Sequence, residues 1–356
     1  MQCTSKNEKP ALSIPSAYEG ANFSSNTTTQ SAIRVQLENL TNEMKKGRTT
    51  GVSVSATTLN TLFASTGSNS LRSVSTSYYV GRLEGSTGWL QTLASASGST
   101  WIPANNATQG GTFGGYLFSK EGLEMEQMVE KGLFGAALYY QASLLWSANE
   151  LSLANVDQIL SLYGAHPDFP NSNNAKYTNP DKFMALYAAR RDKNDGKGFY
   201  TQIKENFIKL QAAVKAGSDY KAEQQEYLAN IKLLWEKANA ATVINYCHSV
   251  ISTLSATSPT DAQKGAALHA YGECVGFLHG WLTITDKKIT DTQIESLLTL
   301  LNAPRNGAPT SYSFVTDASN QLPKLQQVIS QLKSIYGFTD AEIEDFKQNW
   351  ITVQNR

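Results

Sequence analysis

The sequence predicts an all-α fold, a multi-helix bundle with an irregular Ser/Thr/Gly-rich N-terminal elaboration. Apolar residues recur at helical spacing over most of the chain, and alternating strand patterns are scarce. Pro304, Gly307 and Pro309 mark a loop before the last helices. We expect residues 1–28 to form a tether and an irregular segment, and residues 29–356 to form a single helical domain.

The first predicted helix covers residues 29–46, where Ile33, Leu37, Leu40 and Met44 form one apolar stripe. Residues 121–146 carry the widest apolar arc, so this helix should be central and buried on most sides. Further helices are predicted over 151–163, 180–191, 199–216, 220–239, 241–256, 261–283, 291–301, 320–336 and 339–350. Thr339 is a typical helix start, because acidic residues follow it in the first turn.

Residues 65–115 are rich in Gly and Ser, and their secondary structure is ambiguous. The run Gly-Gly-Thr-Phe-Gly-Gly at 110–115 lacks the spacing of a nucleotide-binding loop. We expect it to form a tight, flexible entry to the helix at 121.

Charge excludes some classes of partner. The 30 Lys and Arg residues balance the 30 Asp and Glu residues, giving a formal net charge of zero. A general nucleic-acid binder normally has a basic excess, and a polybasic membrane anchor needs one. No window of about 18 apolar residues is present. We expect no nucleic-acid partner, and membrane contact only through a lipid anchor.

Cys3 is the candidate lipidation site. It precedes the polar run Thr4–Pro10, as the lipidated cysteine of an exported bacterial lipoprotein precedes its tether. The hydrophobic leader would then be missing from this chain. The Ser/Thr/Asn-rich, charge-poor first third is also common in exported proteins. The sequence therefore predicts a periplasmic or cell-surface lipoprotein of the outer membrane.

The helices on either side of Pro259 carry the richest chemistry. His248 and His269 are at similar distances from this proline, so an antiparallel hairpin would place them at the same height. His269 and Glu273 share a helix face because they are four residues apart. Beside them run Gly272, Gly276 and Gly280, which would let another helix backbone approach. His279 should point elsewhere.

The helix at 121–146 has a polar line formed by Glu124, Gln127 and Lys131, and an acidic pair formed by Glu126 and Glu130. One of these sets should face solvent. The other needs partners, because burying an isolated carboxylate is unfavourable. We predict that Glu124 reaches buried His269 and Glu273.

Two interpretations of His269 and Glu273 remain open. They could be ligands of a divalent metal, as in helical-bundle metal sites, or a buried pair that joins two helices. Cys247 and Cys274 also face each other across the hairpin. They could form a disulfide, although two buried free thiols are favoured because cysteine suits helix seams.

Catalytic signatures are missing from the sequence. It has no His-Glu-X-X-His, Walker A, Gly-X-Ser-X-Gly or Gly-X-Gly-X-X-Gly motif. Trp89 and Trp101 lie in polar, Gly/Ser-rich surroundings and could bind a glycan or peptide by stacking. A metal-dependent hydrolase using His269 and Glu273 is a further alternative.

The segment from Lys120 to Ala137, followed by His269-X3-Glu273-X2-Gly276-Phe277, resembles an uncharacterised family of Bacteroidota lipoproteins. Residues 30–40 fit the opening helix of that family. The family is similar in style to the imelysin-like proteins, which are all-helical, exported and linked to iron uptake. The resemblance implies a noncatalytic exported lipoprotein of a nutrient or metal acquisition system, with an outer-membrane transport partner. From the residue patterns above, the candidate binding residues are Glu124, Gln127, His248, His269 and Glu273.

Overall fold

The computed structural model describes residues 9–64, 69–103, 109–148 and 150–356. It confirms the all-α fold: the chain is a multi-helix bundle with one two-stranded sheet among the described residues. Cys3 and most of its polar tether lie outside the described residues. None of the described helices is both long and apolar enough to cross a lipid bilayer.

The chain forms short helices first and long helices later. The first helices are α1 (Phe23–Asn26), α2 (Thr28–Lys45), α3 (Ala56–Ala64), α4 (Leu71–Val74), α5 (Ser77–Leu83) and α6 (Trp89–Ala96). The strands β1 (Gly110–Phe113) and β2 (Tyr116–Ser119) follow. The remaining helices are α7 (Met125–Leu133), α8 (Tyr140–Trp146), α9 (Leu153–Tyr163), α10 (Phe183–Arg191), α11 (Phe199–Ala216), α12 (Lys221–Leu254), α13 (Asp261–His279), α14 (Asp291–Leu300), α15 (Ser313–Thr316), α16 (Ala318–Tyr336), α17 (Asp340–Asp345) and α18 (Trp350–Gln354).

The helix predicted at 121–146 is less regular than expected. It begins at Met125, and a π-helical turn at Phe134–Tyr139 separates α7 from α8. The segment is nonetheless buried almost throughout from Gly122 to Tyr139, as its wide apolar arc predicts.

Residues 220–239 and 241–256 were predicted as two helices, and this is wrong. They form the single helix α12, because the Ala-rich junction contains neither Gly nor Pro to interrupt it. α12 packs against α10, α11, α13 and α16. The long central element of the bundle is therefore α12, and the buried helix α7 packs against α13.

The glycine-rich run at 110–115 forms a hairpin, which corrects the prediction of a flexible entry to a helix. Strands β1 and β2 pair antiparallel, with Phe113 opposite Tyr116. Gly114 and Gly115 form the turn and both have positive φ, as tight hairpin turns of this hand require. A side chain at Gly114 would strike the backbone at the start of α13, so the hairpin lies directly against that helix.

The N-terminal segment is partly ordered into the bundle. Tyr18 and Phe23 belong to the main hydrophobic core, which extends along the chain to Ile351. Helix α1 also lies within the predicted irregular segment. At the other end, Thr339 caps α17 through a reciprocal hydrogen-bonded box with Glu342, as its sequence predicts.

Candidate functional site

A glycine seam joins α13 to α7. A Cβ added at Gly276 would lie 2.5 Å from the carbonyl oxygen of Gln127, and one at Gly280 would lie 2.0 Å from that of Gly132. Only a residue without a side chain permits such a close backbone approach. The seam therefore brings the polar line of α7 onto the face of α13 that carries His269 and Glu273.

His269 bridges two carboxylates across this seam. Its Nδ1 lies 2.6 Å from Oε2 of Glu124, and its Nε2 lies 3.2 Å from Oε1 of Glu273. Both carboxylates are buried, and the imidazole side chain is 22% exposed. The prediction that Glu124 reaches the His269–Glu273 pair is confirmed through its contact with His269.

The imidazole is held in its charged form. Burial opposes the charge, but hydrogen bonds to Glu124 and Glu273 raise the pKa of His269 to about 9. Both ring nitrogens therefore carry protons at neutral pH and donate to the two carboxylates.

Arg48 completes the cluster and was missed from the sequence. It lies in a 3-10 turn, Lys46–Arg48, that follows α2. Its Nη2 lies 2.9 Å from Oε1 of Glu124 and also pairs with Glu126. The basic run at residues 45–48 was the available signal, because the buried acids of α7 require cationic partners.

Tyr116 covers the imidazole from the hairpin. The two rings stack with their centroids 4.4 Å apart and an interplanar angle of 17°. The guanidinium of Arg48 lies 5.2 Å from the centre of the same tyrosine ring. The hairpin therefore forms a lid over the cluster, a role that was not predicted for its glycine-rich sequence.

Neither polar set of α7 faces solvent, which corrects the sequence-based expectation. Burial, followed by repulsion from Glu130 and Glu124, raises the pKa of Glu126, so this carboxyl favours its neutral form. Burial opposes ionisation of Glu130, but Lys131 and Lys45 lower its pKa overall. Lys131 Nζ lies 2.9 Å from Oε2 of Glu130 and helps to lower the pKa of Glu273.

The buried acids of this cluster are compensated by nearby cations. Arg48, Lys131 and His269 pair with Glu124, Glu130 and Glu273, and the more exposed Lys45 lies 3.9 Å from Glu130. Such compensation is what allows ionised groups to remain in a low-dielectric interior. Gln127 donates to Glu126 at 2.7 Å and therefore belongs to this cluster.

Metal coordination is not favoured by this geometry. A histidine ligand must offer an unprotonated nitrogen, whereas both nitrogens of His269 are occupied by carboxylates. Across the described part of the chain, no group of three or more His, Cys, Asp or Glu side chains is arranged to hold a metal ion. The geometry therefore favours the structural interpretation of His269 and Glu273.

His248 does not join this cluster, contrary to the prediction from its position in the hairpin. It lies in a groove beside Ile343, Glu344 and Lys347. The neighbouring residue Cys247 instead faces α13, with its Sγ 3.8 Å from that of Cys274. Both cysteines are buried and free, as favoured from the sequence.

A separate cleft is lined by other residues of α7 and α13. Its volume is about 370 Å³, and Met125, Met128 and Val275 form an apolar wall. Its lining also includes Arg82, Trp89, Gln91, Gln109, Lys120, Glu121, His279 and Arg305. This combination of aromatic, amide and charged groups is typical of a small-molecule site.

The two tryptophans singled out in the sequence have different environments. Trp101 is 2% exposed and packs against Phe118 and Tyr312, so it offers no stacking surface. Trp89 is partly exposed in the cleft and contacts the edge or face of Tyr79 and His279. His279 thus points away from His269, as predicted, and lies beside this cleft.

No protein-family model matches the chain, and neither does any curated protein or solved structure. The resemblance to the lipoprotein family therefore stays a prediction.

Proposed function

We propose that this protein is a noncatalytic binding protein that captures a small soluble ligand for a nutrient acquisition system. The observation that carries this proposal is the cleft beside Trp89. Its volume of about 370 Å³ suits a small molecule, and it combines an apolar wall with a few polar groups.

The geometry of the cluster around His269 supports the proposal that the protein is noncatalytic. A general base needs a free lone pair, and an acid needs a proton that it can transfer to substrate. The ring protons of His269 point to two buried carboxylates, and Tyr116 covers the ring. Because ion pairs connect these residues across the seam, the geometry supports a role in joining α7, α13 and the turn that carries Arg48.

The proposed location follows from Cys3 and its polar tether. A lipid on Cys3 would hold the bundle at a membrane surface, and an outer-membrane transport partner would receive the captured ligand. The sequence features that favour export are the N-terminal cysteine and the charge-poor first third of the chain.

Thermal unfolding with a panel of neutral sugars, sugar acids, amino acids and dipeptides tests ligand capture. A ligand that binds the folded state raises the unfolding temperature. Ser95 is exposed on the cleft wall, so Ser95→Trp should fill the cleft and abolish the shift. Ser319→Trp, at an exposed position of α16, is the matched control and should retain it.

Failure of every compound to shift the unfolding temperature would contradict small-ligand capture. A shift that survives in Ser95→Trp would show that binding occurs elsewhere and would remove the cleft from the proposal.

A further inference from the structure

Charge in the cleft is not fully compensated. Arg305 Nη1 lies 2.5 Å from Glu295, and Lys120 Nζ lies 3.8 Å from Glu121. Arg82 forms no ion pair with a carboxylate in the described part of the chain. The lining therefore presents one cation in excess, at a position that is only partly exposed.

The guanidinium of Arg82 is held in place by neutral groups. Its Nε donates to the hydroxyl of Tyr78 at 3.3 Å, and its Nη2 donates to the backbone carbonyl of Arg305. The ring of Tyr78 also lies 5.4 Å from this guanidinium. These contacts use a minority of the N–H donors of Arg82, so the remaining donors can bind an anion.

His279 lines the cleft and lies near its positive charges. Burial, followed by the positive charges of Arg82 and Arg305, lowers the pKa of His279 to about 3. The imidazole is therefore neutral and leaves the excess positive charge to Arg82. A cation that is partly desolvated and lacks a counterion favours an anionic ligand.

Trp89 provides the second recognition element. Its ring centroid lies 5.4 Å from that of Tyr79 and 5.1 Å from that of His279, both at steep interplanar angles. These contacts restrain the indole beside the side chains of Gln91 and Gln109. The apolar face of a sugar ring can pack on a fixed indole, while amides satisfy its hydroxyl groups.

Deepening the proposed function, on which this inference rests, we infer that the cleft binds a monoanionic sugar acid. The carboxylate of the sugar pairs with Arg82, and its ring packs against Trp89. The planar guanidinium matches a carboxylate through parallel hydrogen bonds. A single excess cation suits a monoanion better than a phosphate monoester, which carries close to two negative charges at neutral pH.

Calorimetric titration with D-galacturonate, D-galactose and galactose 6-phosphate tests this assignment. Galacturonate should bind most tightly, because it alone combines the ring with one negative charge. Arg82→Gln should weaken galacturonate binding by about 10- to 100-fold, the usual range for loss of charge-assisted hydrogen bonds. Trp89→Ala should weaken it as well, and Trp89→Phe should restore part of the affinity.

Arg72→Gln is the matched control, because Arg72 is exposed, lies outside the cleft and pairs with Glu84. This variant should bind galacturonate like the wild-type protein. Thermal unfolding of each variant without ligand establishes that it is folded.

Equal or tighter binding of galactose or its phosphate would overturn the sugar-acid assignment and leave ligand capture intact. Retention of full galacturonate affinity in Arg82→Gln would overturn it in the same way. Binding of a dipeptide but not of any sugar would also do so. Absence of binding by all panel compounds would contradict this inference together with the proposed function.

Discussion

The charged state of His269 makes the stability of the bundle depend on pH. In the unfolded chain this imidazole titrates near its ordinary pKa of 6.5, whereas in the fold its pKa is about 9. The folded state therefore keeps a proton that the unfolded state releases between these values. The stabilisation is fully present below pH 6.5 and is lost as pH rises through 9.

The size of this effect follows from the pKa difference. A shift of one unit corresponds to about 1.4 kcal/mol, so the rise from 6.5 to about 9 corresponds to about 3 kcal/mol. The imidazole side chain is 22% exposed, so most of it is shielded from solvent. His269→Gln removes the titrating group but keeps a side chain that can form hydrogen bonds.

Urea unfolding of the wild-type protein and His269→Gln should be compared from pH 6.5 to about pH 10. We expect the difference in unfolding free energy to be largest at pH 6.5 and to shrink by about 3 kcal/mol at the alkaline end. Titration of Glu126 occurs in both proteins and is therefore largely removed by the subtraction.

His248→Gln is the matched control. Burial, followed by the nearby charge of Lys347, lowers the pKa of His248 below 6.5. The difference in unfolding free energy between the wild-type protein and His248→Gln should therefore change with pH only below about 6.5. Above that value the difference should be constant. A constant difference for His269→Gln over the alkaline range would refute a charged imidazole in the fold.

Two further predictions concern the seam between α7 and α13 and the cation Arg48 beside it. Gly276→Ala should destabilise the protein by about 1–3 kcal/mol in urea unfolding, because the new Cβ would overlap the carbonyl of Gln127. Gly272→Ala should be tolerated, since its Cβ would make only ordinary contacts. Equal losses of unfolding free energy in these two variants would refute the close approach of the α7 backbone to Gly276. Arg48→Ala should lower the unfolding free energy by about 1–3 kcal/mol, because it removes a hydrogen-bonded cation from Glu124 and Glu126 while Glu124 keeps its contact with His269. Arg72→Ala breaks an exposed pair and should have little effect, so a similar loss in both variants would contradict the importance of burial.

Local sequence patterns were sufficient to predict the position of many of the helices. The predicted helix at 199–216 matches α11, and the helix at 29–46 matches α2 within one residue. Such agreement is expected because apolar spacing and capping depend on neighbours within a few residues. The break predicted near residue 240 was wrong because no local signal there ends a helix, and α12 continues.

The glycine spacing on α13 also identified a surface for close packing and placed Glu124 near His269 and Glu273. His248 was misplaced because equal height in a hairpin does not fix the direction of a side chain around the helix axis. Its groove faces α17, whereas Cys247 faces α13.

The sequence by itself determined the all-α class, the main helices and the need for charged partners among the acids of α7. Only the tertiary structure decided that Arg48 and Tyr116 supply contacts to the cluster. It also decided that Arg82 and Trp89 share a cleft. Helix periodicity and capping arise from short-range contacts. Charge states and cavities depend instead on distances and burial among residues that are far apart in the chain.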